Sequence, residues 1–156
     1  MKRVRQTPAG WQFQLLQNEV NYLRLLVGMF PFGEPPPVNI SNADQSPEAA
    51  ERESLLGESL AEHRKQLKQF ARKFIAGQKW EQHENGLLLT LDAESRETLL
   101  QILNDVRVAC WHALGEPESL GFPDASQLQS MTQEMGWRCA LEMAGYFECA
   151  LLEPEE

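Results

Sequence analysis

Two seven-residue stretches decide the fold, GWQFQLL at residues 10–16 and GLLLTLD at residues 86–92. In each, apolar residues stand at every second position: Trp11, Phe13 and Leu15 in the first, and Leu87, Leu89 and Leu91 in the second. An alternation with a period of two predicts a β-strand that is buried on one face. Each stretch therefore predicts one strand, and a helical pattern follows directly after both.

Four helices are predicted outside these strands, because apolar residues recur there at spacings of three and four. They cover about residues 18–30, 46–76, 93–114 and 124–152. Residues suited to cap or stop a helix stand at their boundaries: Asn18, Ser46, Gly77, Asp92, Gly115 and Asp124. The second helix also contains Gly57, where a break is expected.

The predicted fold class is α+β and mostly helical, with a four-helix layer that covers a small two-stranded ribbon. The order strand, helix, helix occurs twice, which favours a pseudo-two-fold β-α-α repeat with the two strands paired antiparallel. A lone two-stranded ribbon is weak in water, so the helices must cover it. The 156 residues are predicted to form a single domain, 1–156. Residues 31–45, which include three successive prolines, are expected to be a loop between helices, and residues 1–9 and 153–156 to be flexible tails.

Composition and charge restrict the class of partner. The formal net charge is −9, which disfavours nucleic acid and anionic membranes as partners. Three cysteines in no paired spacing indicate a reducing compartment. No apolar run follows the basic start or reaches the length of a membrane span. The sequence therefore predicts a cytoplasmic protein.

The second half carries a pattern that resembles a known family. The strand at 86–92, the LNDVR stretch at residues 103–107 and the pair Leu114–Gly115 are similar to the bacterial family catalogued as domain of unknown function 2017. The resemblance covers roughly residues 11–151. The chain departs from the family pattern in its Met- and Cys-rich final helix and its long Pro-rich loop. The resemblance implies a bacterial cytosolic protein with this fold, and it implies no activity.

No pattern of a catalytic or metal site is present. His63, His83 and His112 form no closely spaced ligand pair, and the chain has neither a nucleophile elbow nor a glycine-rich phosphate loop. All three cysteines fall on or near apolar stripes, where a thiol acts as a small hydrophobe. Residues of the second helix recur at alternating spacings of four and three and predict a packing seam: Leu56, Leu60, His63, Leu67, Phe70 and Phe74. His63 is predicted to be a neutral histidine in this seam, with one hydrogen bond. No catalytic residue, metal or cofactor is expected.

A candidate polar cluster lies on the third and fourth helices. Glu142 falls within the predicted apolar stripe of the fourth helix, and a buried charge needs a partner. We therefore expect Glu142 to meet Arg96 or Arg107, as a structural ion pair or as the floor of a binding cleft, or this face of the helix to open onto a groove or a second subunit. Asn104 and Asp105 are poor residues for the middle of a helix and are expected to join this cluster, as structural groups or as a binding patch.

A candidate basic patch lies on the second helix. Arg64, Lys68 and Arg72 form a row with a spacing of four, and no acid falls between Arg64 and Lys79. This row could bind phosphate or an acidic protein. Alternatively, it is a solvated face whose cations suit the C-terminal end of the helix dipole.

These observations favour a non-enzymatic protein-interaction or regulatory module that uses the Met-rich helix surfaces around Trp111 and Trp137. Two alternatives stay open. One is a nucleic-acid-associated regulator that uses the basic row, and the other is a small-molecule-binding domain or enzyme with a pocket near Glu142. The expected partner is another protein or a second copy of the chain, and both a homodimer and a monomer fit the sequence.

Overall fold

The computed structural model of the chain describes residues 1–32, 47–77, 80–83, 86–118 and 132–153. These residues form four strands and four helices: β1 (Lys2–Thr7), β2 (Gly10–Leu15), α1 (Gln17–Met29), α2 (Pro47–Ile75), β3 (Trp80–His83), β4 (Gly86–Leu91), α3 (Ala93–Ala113) and α4 (Gln133–Leu152). The α+β, mostly helical fold class is confirmed. The predicted helix starts at Ser46 and Asp124 and most of the Pro-rich loop lie outside the described residues.

The sheet has the strand order β1-β2-β4-β3, and every neighbouring pair is antiparallel. The predicted pairing of the two central strands is confirmed, with Phe13 opposite Leu89. The predicted two-stranded ribbon is wrong, because β1 and β3 extend it on both sides. Residues 2–7 are likewise a strand rather than part of a flexible tail. Their sequence, KRVRQT, has no apolar alternation, so the sequence did not reveal the strand. The segment forms an edge strand because it pairs with β2, and charged side chains are common on such strands.

One face of the sheet forms the floor of the core. It carries Phe13, Leu15, Leu89 and Leu91, all with no exposed surface, and the helices cover it. The other face is polar. There Gln12 accepts a hydrogen bond from Arg5 at 2.7 Å and donates one to Thr90 at 3.2 Å. The alternation seen in the sequence therefore separates a buried face from a hydrogen-bonded outer face.

The chain contains two copies of one β-β-α-α unit, which is one strand more than the predicted β-α-α repeat. Gly10 and Gly86 begin the central strands, and Gln17 and Ala93 begin the following helices; each pair is 76 residues apart. The buried residues follow the same offset: Leu23, Leu26 and Val27 in α1 correspond to Leu99, Ile102 and Leu103 in α3. The first helix of each copy thus uses the same positions to build one shared core.

The long helix α2 runs through Gly57 without the predicted break. Its C-terminal half packs on the core through Leu67, Ala71 and Phe74. No helix in the described part of the chain has the length and apolar character needed to cross a membrane.

Candidate functional site

The predicted polar cluster of Arg96, Asn104, Asp105, Arg107 and Glu142 does not meet at one place. The guanidinium carbon of Arg96 lies 4.3 Å from the centroid of the Trp11 ring, at the sheet. Glu142 is exposed, and none of the ion pairs found among the described residues includes it. The prediction that Glu142 pairs with Arg96 or Arg107 is therefore wrong.

The error arises from the direction that α4 turns toward the core. Its buried face consists largely of small and large apolar residues that the predicted stripe did not include: Ala140, Leu141, Ala144, Phe147 and Leu151. The residues of this helix predicted to face inward included Met135, Cys139, Tyr146 and either Cys149 or Ala150. Met135 and Ala150 are buried, whereas Cys139, Tyr146 and Cys149 are exposed. Alanine contributes little to an apolar pattern in the sequence, yet it permits close packing of α4 against α3.

The acidic residue that this rotation buries is Glu148. It is 8% exposed, and its Oε2 atom accepts a hydrogen bond from Nη1 of Arg107 at 2.8 Å. Its other oxygen, Oε1, is buried with no hydrogen-bond partner among the described residues. The Arg107 side chain passes close to Gly145, where a Cβ atom would lie 3.9 Å from Nε. The predicted kind of contact thus exists, but it joins Arg107 to Glu148.

An open groove of about 440 Å³ lies beside this ion pair, between α3, α4 and the segment after α3. Its lining is mixed: Asn104, Arg107, Val108, Trp111, Pro117, Glu118 and Leu141. Arg107 and Glu118 bring one charge of each sign, so the lining has no strong preference for an anion or a cation. The indole nitrogen of Trp111 donates to the carbonyl oxygen of Pro117 at 3.3 Å, which holds Trp111 at the groove wall.

Asp105 and Arg64 link the predicted polar cluster to the predicted basic row. Burial raises the pKa of Asp105, and the nearby charge of Arg64 opposes this increase. The guanidinium carbon of Arg64 lies 5.9 Å from the centroid of the Phe30 ring, so this side chain is turned toward the core. Of the predicted basic patch, only Lys68 and Arg72 are exposed. The predicted row is therefore split: Arg64 interacts with Asp105 between α2 and α3, and Lys68 and Arg72 face the solvent.

The histidines and cysteines offer no catalytic arrangement in the described regions. His63 is exposed rather than buried in a seam, and its ring nitrogen Nε2 lies 3.0 Å from Oε1 of Gln101. Cys110 is buried, and burial raises the pKa of its thiol, which disfavours the reactive thiolate. Residues 1–32, 47–77, 80–83, 86–118 and 132–153 contain no group of three side chains suited to hold a metal ion.

The N-terminal half of α2 carries an exposed apolar surface that the sequence did not predict. Leu56 and Leu60 continue the buried seam of Leu67 and Phe74, yet they are 39% and 47% exposed. Leu55, next to them, is 60% exposed. From residue 48 to residue 66, the only buried residue is Ala49. The core therefore covers one half of the seam and leaves the other half open.

Comparisons of the chain with protein-family models, with curated proteins and with solved structures find no match. The resemblance to the domain of unknown function 2017 family therefore stays a prediction.

Proposed function

We propose that the protein is a non-enzymatic interaction module that binds a second copy of itself through α2. The observation that carries this proposal is the exposure of Leu55, Leu56 and Leu60 on a helix whose other half is packed. Burying a fully exposed leucine side chain contributes about 1.5–3 kcal/mol, and these three side chains are still 39–60% exposed, so a cover over them adds part of that free energy for each. We propose that the cover is α2 of another copy.

The charges of α2 support this choice of partner. The part before His63 contains five acids and one base: Glu48, Glu51, Arg52, Glu53, Glu58 and Glu62. The part after His63 contains five bases and no acid: Arg64, Lys65, Lys68, Arg72 and Lys73. The helix dipole favours this order within one helix. The same order also makes α2 complementary to itself when two copies run antiparallel.

An antiparallel pairing centred near Leu60 satisfies both features. It brings the leucines of the two copies together in the middle of the interface. It also places Glu48 of one copy at the level of Arg72 of the other, since both residues are equally far from Leu60 along the helix. Such an interface uses the same surface on both copies, as a two-fold homodimer requires.

The test is sedimentation equilibrium of the full chain over a range of concentrations. We expect the wild type to dimerise and the variant Leu56→Glu/Leu60→Glu to dissociate, with Kd raised about a hundredfold or more, since two leucine contacts are lost. Leu25→Glu is the matched control, because Leu25 is 62% exposed on α1. Circular dichroism of each variant verifies that the fold is intact.

A charge exchange tests the antiparallel arrangement itself. Glu48→Lys or Arg72→Glu alone places like charges opposite each other and weakens the dimer, whereas the double exchange restores the attraction. A wild type that is monomeric throughout, or a double exchange that adds the two losses, contradicts the proposal. If the monomeric wild type instead binds nucleic acid, the alternative based on the basic row gains support.

The second candidate is a small-molecule-binding domain, favoured by the groove that contains Arg107 and Trp111. This groove lies beside Leu141, next to the position predicted for a pocket near Glu142. Arg107 is about half exposed, and its ion pair with Glu148 leaves the rest of the guanidinium near the groove. Ligand-dependent quenching of Trp111 fluorescence that is abolished in Arg107→Ala would support this candidate over self-association.

A further inference from the structure

A second, smaller cavity lies at the other end of α2. It has a volume of about 130 Å³ and lies between the last turns of α2, the strands β3 and β4, and the first turn of α3. Its apolar wall is formed by Phe70, Phe74, Trp80, Leu89 and Leu91. Lys73 and Ser95 are the polar residues of the lining, and none of the lining residues is acidic.

The aromatic side chains hold this cavity in shape. The rings of Phe70 and Phe74 stack with their centroids 5.9 Å apart, and Phe74 meets Trp80 edge to face at 5.5 Å. On Trp80, the guanidinium carbon of Arg24 lies 5.3 Å from the ring centroid. The Nε atom of Arg24 is buried and has no hydrogen-bond partner in the described part of the chain. The cavity thus has rigid apolar walls, with Lys73 in its lining and Arg24 against one of its walls.

The other copy of the structural unit can be compared with this cavity residue by residue. By the offset of 76 residues, Ser95 corresponds to Glu19 and Phe70 corresponds to Tyr146. The carboxylate of Glu19 and the hydroxyl of Tyr146 both contact the amino group of Met1, whose side chain packs against the core. The residue that corresponds to Met1 is Gly77, which has no side chain. One copy therefore carries a methionine where the other has no side chain, and a Cβ atom at Gly77 would lie 3.1 Å from an Nη atom of Arg24.

We propose that this cavity is a binding site for a small amphipathic carboxylate, with an aliphatic tail or a single ring. The volume sets the size, because an apolar cavity of about 150 Å³ lined by similar side chains binds one benzene molecule. The tail packs against Phe74, Trp80 and Leu89. The carboxylate pairs with the ammonium group of Lys73, which is exposed and lines the cavity.

The charged side chains differ between the two copies: the first has an acid, and the second has a lysine, which suits an anionic ligand. In the first copy the polar partner is the Glu19 carboxylate, which suits the cationic amino group of Met1. In the second copy the acid is replaced by Ser95, and Lys73 replaces Cys149. A cationic ligand is therefore disfavoured and an anionic one is favoured.

The test uses hexanoate as the probe, with hexan-1-ol and hexylamine as matched ligands of the same chain length. Binding to the full chain is followed by ¹H–¹⁵N chemical shifts. We expect saturable shifts at Trp80, Leu89 and Leu91 with hexanoate, weaker binding of hexan-1-ol by about tenfold for the lost charge contact, and no saturation with hexylamine.

Two variants separate the charge from the cavity. Lys73→Met lowers hexanoate affinity to that of hexan-1-ol. Lys68→Met, which changes an exposed lysine on the same helix that does not line the cavity, leaves the affinity unchanged. Ser95→Leu fills the space and abolishes binding of both probes. Hexanoate that does not saturate, that binds equally well to Lys73→Met, or that shifts residues away from this cavity overturns the proposal. The result does not depend on whether α2 dimerises, since Leu56→Glu/Leu60→Glu is expected to bind hexanoate as the wild type does.

Discussion

Gly10 and Gly86 occupy the same position in the two halves of the sheet, and each lies directly against the opposite central strand. A Cβ atom at Gly10 would overlap with the carbonyl oxygen of Leu91, and one at Gly86 would overlap with that of Leu15. Their φ angles are +127° and +144°, a backbone conformation that residues other than glycine rarely adopt. The two glycines therefore permit the two hairpins to approach each other closely around the β2–β4 pair.

Substitution of either glycine is expected to destabilise the sheet. Gly10→Ala and Gly86→Ala should each lower the free energy of unfolding by about 2 kcal/mol or more, because backbone strain adds to overlap with a main-chain oxygen. Urea denaturation measures the change. The control is Gly136→Ala in α4, where nothing lies within 4 Å of a Cβ and alanine should stabilise the helix by about 0.5–1 kcal/mol. Equal effects at Gly10 and Gly136 would contradict this account.

For the ion pair between Arg107 and Glu148, removing one partner is expected to cost more stability than removing both. Arg107→Ala leaves a buried carboxylate without a cation and should cost about 1–3 kcal/mol. Arg107→Met/Glu148→Leu removes both charges and should recover most of that loss, because apolar residues of similar size can replace a buried pair. Chemical denaturation gives both values. The exposed pair of Lys65 and Glu62 is the control, and its Lys65→Ala variant should change stability by about 0.5 kcal/mol at most.

Asp105 predicts a stability that falls as pH rises. Burial raises the pKa of Asp105 above its ordinary value, so the folded protein retains a proton that the unfolded chain has released. Stability is therefore lost between the ordinary and the raised pKa. Relative to the wild type, Asp105→Asn should become more stable from acid to neutral pH, as thermal unfolding at several pH values can show. Arg64→Met should move the loss to higher pH, since Arg64 opposes the increase in pKa. A constant difference between Asp105→Asn and wild type would refute the assignment.

Glu19 is expected to make stability depend on pH in the opposite direction. Burial alone would raise its pKa, but hydrogen bonds from the Met1 amino group, the Tyr146 hydroxyl and the Leu16 backbone outweigh burial and lower it. The stability from Glu19 is therefore present above the ordinary pKa and lost as pH falls through the lowered one. Glu19→Gln should be less stable than wild type by about 1 kcal/mol at neutral pH, and the gap should narrow in acid. Tyr146→Phe, which removes one of these bonds, should show a smaller gap of the same sign.

Sequence patterns identified the central strands and the helices correctly, and they failed where order depends on a neighbour. The strand β1 has exposed charged residues and no alternation, so only its hydrogen bonds to β2 reveal it. Glu148 was missed for a related reason. The alanines that turn α4 toward α3 are too small to give the helix a strong apolar side in the sequence.

The candidate site shows the same division. Arg107 and Asp105 were predicted to belong to one polar cluster, and each makes a charge contact across helices. Their partners were not predicted correctly, because a helix pattern fixes the face of a residue but not the neighbouring helix that the face meets. The seam on α2 was predicted along its whole length, and the structure covers only its C-terminal half.

What the sequence by itself determined is the set of local elements: two strands with a period of two, helices with a period near 3.6, and their occurrence twice in the same order. These features depend on the spacing of apolar residues along a short stretch of backbone, so they can be recognised without the rest of the chain. Only the tertiary structure decided which charges are buried together, how the edge strands pair, and which apolar residues stay exposed. Those properties depend on surfaces that come from distant parts of the chain, and the packing of one helix against another selects among faces that the sequence leaves equivalent.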